Sequence, residues 1–350
     1  MKKIGIVGVG DISGIYLKNC TTIFSKILEI KGICDLIDEK AQNRASEFGI
    51  TKIYKDMHEI FADPEIDIVL NLTRPYEHYE VTKAALNAGK HVYSEKPLGA
   101  TLEEGKELLA LAKAKGLLLG GAPDTFLGAG IQTCKKLIDD GFIGDVVGAS
   151  AFMVCRGHET WHPDPEFYYK HGGGPMLDMG PYYVTALVEL MGKIKSVSGM
   201  TNITFPHRLI TSKPKDGTII DVDVPTYVCG MMRFNSGAIG TIFTTFDVYT
   251  AEVPRIEIYG SEGTLSVPDP NTFSGPVRLY RREEKCFKDM PLLFDYSDNS
   301  RGLGLANMVD HIEGRGEFRA SVDRTFHVLE VMTSFSESSA QQKELQMESK

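Results

Sequence analysis

Residues 1–120 constrain the fold most, because apolar runs there alternate with helical spacing. KKIGIVGV, ILEIKGICD, IDIVLNLT, KHVYSE and LLLGGA are the runs. Between them lie SGIYLKNCTTIF, EKAQNRASEF, EHYEVTKAALNAG and LEEGKELLALAKAKG, each with helical periodicity. Strands alternating with helices of about 10–15 residues predict right-handed βαβ units and a parallel sheet. IVLNL, nearly all apolar, suits a strand covered on both faces. The start MKKIGIVGVGD has the lysines and apolar stretch of a signal peptide. Asp11 and Lys18 interrupt it, so it reads as the first strand.

The rhythm changes after residue 122. FLGAGIQTCKKLIDDG predicts a helix ending at Gly141, and VVGASAFMVC a long strand. A loop rich in His, Pro, Gly and aromatics follows (156–175), then a single apolar helix, MLDMGPYYVTALVELMG. From 194 to 282, IKSVSGMTNITF, DVPTYVCGMMRF, AIGTIFTTFDVY, PRIEIYG, GTLSVP and VRLYRR are strand-like and separated by Gly or Asn-Ser-Gly turns. They predict an antiparallel sheet. LANMVDHIEG and VDRTFHVLEVMTSFSESSA read as helices. The expectation is an α/β protein: a Rossmann domain at 1–122, an α/β domain with a large open sheet at 123–340, and a polar tail at 341–350 that frays.

Gly8-Val9-Gly10-Asp11-Ile12-Ser13-Gly14 reads as a glycine turn of the GxGxxG kind. Glycine makes up 35 of the 350 residues, so the pattern is weak by itself. Its place, after a strand and before a helix in the first βαβ unit, is what a dinucleotide site requires. Gly8 permits the tight turn, Gly10 lets a pyrophosphate approach the backbone, Gly14 allows close helix–strand packing, and Asp11 and Ile12 lead into the helix N-terminus. Asp35 closes the second strand, 21 residues after Gly14. Its carboxylate suits ribose hydroxyls and repels a 2′-phosphate, which favours NAD over NADP. The bland alternative is a helix cap, for which Asp38 is better placed.

Glu95-Lys96-Pro97 follows a further parallel strand, and ligands of open α/β sheets bind outside the carboxyl ends of strands. GVGDISG, EKP and the later GGGPMLDMGPYY occur in that order, with LTRPYEHY between the first two. Together they resemble the glucose–fructose oxidoreductase / inositol dehydrogenase / rhizopine catabolism family (Gfo/Idh/MocA) over nearly the whole chain. Thr73 and His78 match that family's Thr-Pro-x-x-x-His element, with Arg74 inserted before the proline. The resemblance implies Lys96 near the substrate hydroxyl and the nicotinamide, and Asp178 in the site. Many members have a histidine four residues after that aspartate; this chain has Tyr182, as in the glucose–fructose oxidoreductase and dihydrodiol dehydrogenase branches.

Tyrosine suits the chemistry. Oxidising an alcohol needs a base for the hydroxyl proton, and a nearby ammonium favours the phenolate. In reduction Tyr182 or Lys96 would return a proton. Asp178 and Tyr182, four apart, share a face of one helix; one of Tyr182 and Tyr183 belongs to the core. Thr73, His78 and Glu95 are expected around the cofactor, and Asp124, with Thr125, at the substrate. In Arg156–Asp164, Trp161 suits stacking on a sugar face, and His158 or His162 suits bonds to hydroxyls. A metal held by His158, Glu159 and His162 is disfavoured, because the segment lacks usual ligand spacing.

The expected function is NAD-dependent hydride transfer at a secondary alcohol of a sugar, sugar derivative or polyol. The rivals are a redox-neutral glycosidase that oxidises transiently, and a non-catalytic sensor. A net charge of −9 disfavours nucleic acid, and no uninterrupted apolar stretch is long enough to span a membrane. Six scattered cysteines without a CxxC pair fit reduced thiols in the cytoplasm. An open sheet, as in the family, implies a homodimer or homotetramer.

Overall fold

The alternation at the start of the chain becomes a five-stranded parallel sheet in a computed structural model that describes residues 1–349. In chain order its elements are β1 (Lys2–Val7), α1 (Ser13–Thr21), β2 (Leu28–Cys34), α2 (Asp38–Phe48), α3 (Met57–Ala62), β3 (Ile68–Asn71), α4 (His78–Asn87), β4 (His91–Ser94), α5 (Leu102–Lys115) and β5 (Leu119–Gly121). The strand order is β2-β1-β3-β4-β5. This doubly wound order reverses direction between β1 and β3, where a ligand crevice forms at the carboxyl ends. Every residue of β3 is buried; each aliphatic side chain there stabilises by about 1.5–3 kcal/mol. Local signals set the helix ends. Thr101 Oγ1 accepts from Glu104 N at 3.2 Å, and the Glu104 carboxylate accepts from Thr101 N at 3.4 Å; this capping box opens α5. Gly116 closes it in the left-handed region. The short α3, not expected from the sequence, is started by Asp56, whose Oδ1 accepts from His58 N and Glu59 N.

The second half holds α6 (Ala129–Asp139), β6 (Val146–Val154), α7 (Gly174–Asp178), α8 (Gly180–Met191), β7 (Ile194–Asn202), β8 (His207–Leu209), β9 (Ile219–Asp221), β10 (Tyr227–Phe234), β11 (Ile239–Thr245), β12 (Ile256–Gly260), β13 (Gly263–Val267), β14 (Val277–Arg281) and β15 (Phe287–Met290). After them come α9 (Leu303–Ile312), α10 (Val322–Gln341) and β16 (Leu345–Gln346). Nine strands form one sheet in the order β15-β14-β13-β12-β6-β11-β10-β7-β16. It is antiparallel except for the β6–β11 pair. β8 and β9 form a separate hairpin. Along β10, Val228, Met232 and Phe234 are buried while Cys229, Met231 and Arg233 are exposed, the period-2 pattern of a half-covered sheet. Phe335 of α10 packs on the covered face where a Cβ at Gly230 would collide with its ring.

Three expectations are corrected. The second domain does not run unbroken from 123 to 340: one unit is Met1–Asp124 with Asn299–Phe326, the other Thr125–Asp298 with the chain from His327 onward. The stretch 299–326, expected in the second domain, joins the first because it bonds there. Gly121 N donates to Ala320 O at 3.1 Å, and Asn19 Nδ2 donates to the carbonyls of Asn299 and Arg301, each at 2.8 Å. The single helix expected over 176–192 breaks at Met179 into α7 and α8, since Pro181 has no N–H for the helical ladder. The tail does not fray. Leu345 and Gln346 pair with Val197 and Ser196 on β7, and Glu348 N donates to Glu330 Oε1 at 2.6 Å. Lys350, part of that expected tail, lies outside the described residues. All six cysteines are unpaired, and among the described residues no helix is long and apolar enough to cross a membrane.

Candidate active site

At the end of β1, Gly8 has φ +86°, and a Cβ there would stand 3.0 Å from Leu72 C and O and from Thr73 N. Only glycine meets both conditions. A Cβ at Gly10 would find no atom within 4 Å, so its backbone is bare on that side. No side chain caps α1; Ser13 N and Gly14 N donate to Gly10 O at 3.1 Å and Asp11 O at 3.4 Å, and the helix N-terminus keeps its positive dipole end toward the turn. The turn departs from the expected motif in its count. It runs G-x-G-x-x-x-G, and Ser13 stands where the third glycine of GxGxxG belongs. Ser13 is fully buried, and its Oγ donates to Gly10 O at 2.6 Å. Gly14, one residue later, faces α2 rather than a strand: a Cβ there would lie 3.4 Å from the Arg44 guanidinium.

Asp35 Oδ2 accepts from Val9 N at 2.8 Å and Oδ1 from Ile37 N at 2.9 Å. The carboxylate therefore ties the end of β2 to the glycine turn. Each oxygen keeps acceptor capacity for a ribose hydroxyl. Asp35 does not cap α2, and neither does Asp38: the N-cap is Ile37, without a side-chain bond. Leu36 and Ile37, 93% and 51% exposed, form an apolar step beside Asp35 that the sequence reading passed over; two adjacent apolar residues after a strand are its only trace. The bare Gly10 backbone, the uncapped α1 and Asp35 together fit a dinucleotide.

The Glu95-Lys96-Pro97 turn is held from two sides. Tyr16 OH donates to Glu95 Oε1 at 2.6 Å, and Lys96 N donates to Glu95 Oε2 at 3.1 Å. His78 contacts Pro97 O through Nδ1 at 2.8 Å and Thr73 O through Nε2 at 3.0 Å. Burial pushes the His78 pKa down, against the pull of the Pro97 carbonyl. A neutral ring carries one N–H and donates to only one of the two carbonyls. Thr73 Oγ1 donates to Asn71 Oδ1 at 2.7 Å. Thr73, His78 and Glu95, expected as cofactor contacts, are thus engaged within the protein and support the turn that carries Lys96. His78 and Glu95 are buried, and their polar atoms need internal partners. Lys96 itself is half-buried.

Asp124, expected at the substrate, is 1% exposed. Its Oδ2 accepts from Gly302 N at 2.9 Å and Gly304 N at 3.0 Å, so it caps α9 in the same unit. Burial pushes its pKa up to about 6, against those two amides.

In the other unit, Asp178 ends α7 and Tyr182 lies in the first turn of α8, 7% exposed. Tyr183 is the core tyrosine: it is fully buried, Arg255 Nη1 donates to its OH at 3.4 Å, and burial pushes its pKa to about 12. His158 brings Nε2 within 3.4 Å of Asp178 Oδ2. Its ring lies 3.9 Å from the Tyr168 ring and 5.3 Å from that of Trp161. Trp161 is 61% exposed. His162 is half-buried, and its Nδ1 accepts from Asp164 N at 3.0 Å. Glu159 turns inward, accepting from Tyr169 OH and from Arg208 Nη1 at 2.8 Å. Burial raises its pKa, but those bonds outweigh burial and hold it below the usual range. Among the described residues no three His, Cys, Asp or Glu side chains converge as metal ligands.

Residues 2–121 match the model of the oxidoreductase family with an NAD-binding Rossmann fold. The chain is an NAD-binding oxidoreductase. Residues 131–266 match the GFO/IDH/MocA C-terminal domain, and the chain belongs to the GFO/IDH/MocA family. It is 27% identical over 264 residues to myo-inositol 2-dehydrogenase of Thermotoga maritima, covering 75% of this chain and 74% of that one. Over 269 residues it is 28% identical to scyllo-inositol 2-dehydrogenase (NAD(+)) of Bacillus subtilis, covering 76% and 73%. Levoglucosan dehydrogenase, solved with NADH and L-sorbose, superposes with a TM-score of 0.84 at 21% identity, over 100% of this chain and 99% of that one. That likeness is one of fold.

Proposed function

We propose that this oxidoreductase moves a hydride between NAD and a secondary alcohol or ketone of a sugar, sugar derivative or polyol. The observation that carries this reading is the Lys96 turn. Glu95 and His78 fix it at the carboxyl edge of the sheet that also bears the glycine turn. The inositol and levoglucosan dehydrogenases among its relatives support the substrate class.

Bound NAD supplies the hydride acceptor. The backbone at Gly10, Asp11 and Ile12 holds the pyrophosphate, and Asp35 accepts from the ribose hydroxyls. Loss of a hydride from an alcohol carbon releases the hydroxyl proton, which a side chain must take. Lys96 and Tyr182 share that role: one polarises the oxygen while the other exchanges the proton. In the reverse direction the same pair returns a proton to the carbonyl oxygen. Asp178 accepts from a substrate hydroxyl, and Trp161 and His162 contact the ring.

The active form is a homodimer or homotetramer joined through the open face of the nine-stranded sheet. The protein works in the cytoplasm, where its six unpaired thiols stay reduced.

The test is absorbance at the reduced-nicotinamide band, with NAD or NADP and a panel of inositols, polyols and sugars. Paired glycosides are assayed for released aglycone. Reduced NAD accumulates with one substrate class. Lys96→Ala abolishes that turnover and leaves NADH affinity, read by fluorescence, nearly intact. Aglycone release without reduced cofactor overturns the reading, as does residual turnover in a Lys96→Ala protein that no longer binds NADH.

A further inference from the structure

Among the described residues the imidazole of His158, whose side chain is 13% exposed, makes no formed hydrogen bond. Neither ring nitrogen has a hydrogen-bond partner, and both are shielded from solvent. The ring does not escape into solvent, because Tyr168 and Phe246 pack on it at centroid distances of 3.9 and 4.8 Å.

The loop beneath it is rigidly held. Arg208, 3% exposed, reaches from β8 to Glu159, Asp247, Phe246 O and Arg156 O. Glu159 O accepts from Thr211 N at 2.9 Å and Ser212 N at 3.2 Å. Gly157 has φ +101°, and a Cβ there would strike Tyr169 OH and Glu159 Oε2. His158 is therefore fixed with Nε2 3.4 Å from Asp178 Oδ2. That separation is longer than a formed hydrogen bond. It brings a donor and a carboxylate acceptor side by side, with Trp161 at their margin.

We propose that His158 is a specificity-determining substrate ligand that works with Asp178 as a two-point clamp for adjacent hydroxyls of a cyclic polyol or sugar. The carboxylate takes the hydrogen bond of one hydroxyl, and the imidazole pairs with its neighbour. The Arg208–Glu159–Tyr169 cluster is the positioning support of that clamp. The inference rests on the dehydrogenase reading above and names which part of the substrate it recognises.

The test compares wild type, His158→Ala and His158→Gln with NAD and the cyclic members of the same panel (myo-inositol, scyllo-inositol, levoglucosan and D-xylose). On the substrate the wild type prefers, His158→Ala raises KM about 10-fold or more, with kcat changed much less. His158→Gln, which keeps a donor, recovers part of the loss. Melting temperature and NADH affinity stay within error of wild type. An unchanged KM in His158→Ala overturns the clamp, and so does a loss shared equally by NADH binding and stability, which would make His158 merely structural. A wild type that turns over none of the panel fails the dehydrogenase reading instead. The clamp is then judged by saturation-transfer NMR of the same four compounds with the NADH-loaded protein: wild type binds one and His158→Ala does not. Equal binding, or none, overturns it.

Discussion

At Asp124 a carboxylate is buried against two backbone amides, and the two effects oppose each other. Burial favours the neutral acid, while Gly302 N and Gly304 N favour the anion; burial prevails, and the pKa rises from 3.8 to about 6. The folded state therefore holds this proton more tightly than the unfolded chain does. That linkage stabilises the fold fully at low pH and is lost as pH rises through about 6. The difference corresponds to at most about 3 kcal/mol. Asp124→Asn, which cannot ionise, flattens the change in urea midpoint between pH 4 and 7 relative to wild type; parallel curves for the two proteins would refute the shift. The sequence reading placed Asp124 at the substrate because it follows the last strand. Its partners lie 178 and 180 residues away, beyond any local signal. Gly8 was legible, because a strand end that must turn at once requires a positive φ.

Elements are joined by side chains that the pattern of strands and helices does not reveal. Tyr16 of α1 donates to Glu95, 79 residues on, and so links the helix behind the glycine turn to the turn of Lys96. Burial, with the Glu95 carboxylate beside it, pushes the Tyr16 pKa far up, so it stays a donor at every working pH. Tyr16→Phe leaves Glu95 short of one bond and costs about 1–3 kcal/mol. A lower melting temperature checks this, with kcat falling further than NADH affinity. An unchanged melting temperature would mean that the bond carries no net stability. The α7–α8 break has the same lesson in reverse: Pro181 was visible in the sequence, and its missing N–H explains the split. The apolar periodicity across it suggested one continuous helix.

On the scale of the molecule, the nine-stranded sheet leaves one face uncovered. Met200, Met231 and Ile239 are 79%, 56% and 50% exposed on the neighbouring strands β7, β10 and β11, all on that face. A clustered apolar face of this kind marks an interaction surface, and it is the face that the proposed homo-oligomer would close with a second copy. Met231→Asp places a charge at its centre. Light scattering after gel filtration then reports the 38.7 kDa monomer where wild type reports a multiple of it. A variant that keeps the wild-type mass removes this face from the assembly.

The order of apolar runs and helical spacings determined the parallel sheet, its glycine turn at Gly8 and the sheet-rich second half, because these follow from periodicity and backbone conformation over a few residues. The EKP and GGG segments offered Lys96, Asp178 and Tyr182 as candidates through the family resemblance they carry. Tertiary structure alone decided which polar groups were already engaged. Glu95, His78 and Asp124 found internal partners, since a buried polar atom must be satisfied by whatever the fold brings near it. It also decided that 299–326 returns to the first unit. Those pairings join residues tens to hundreds of positions apart, and no local pattern encodes a partner at that distance.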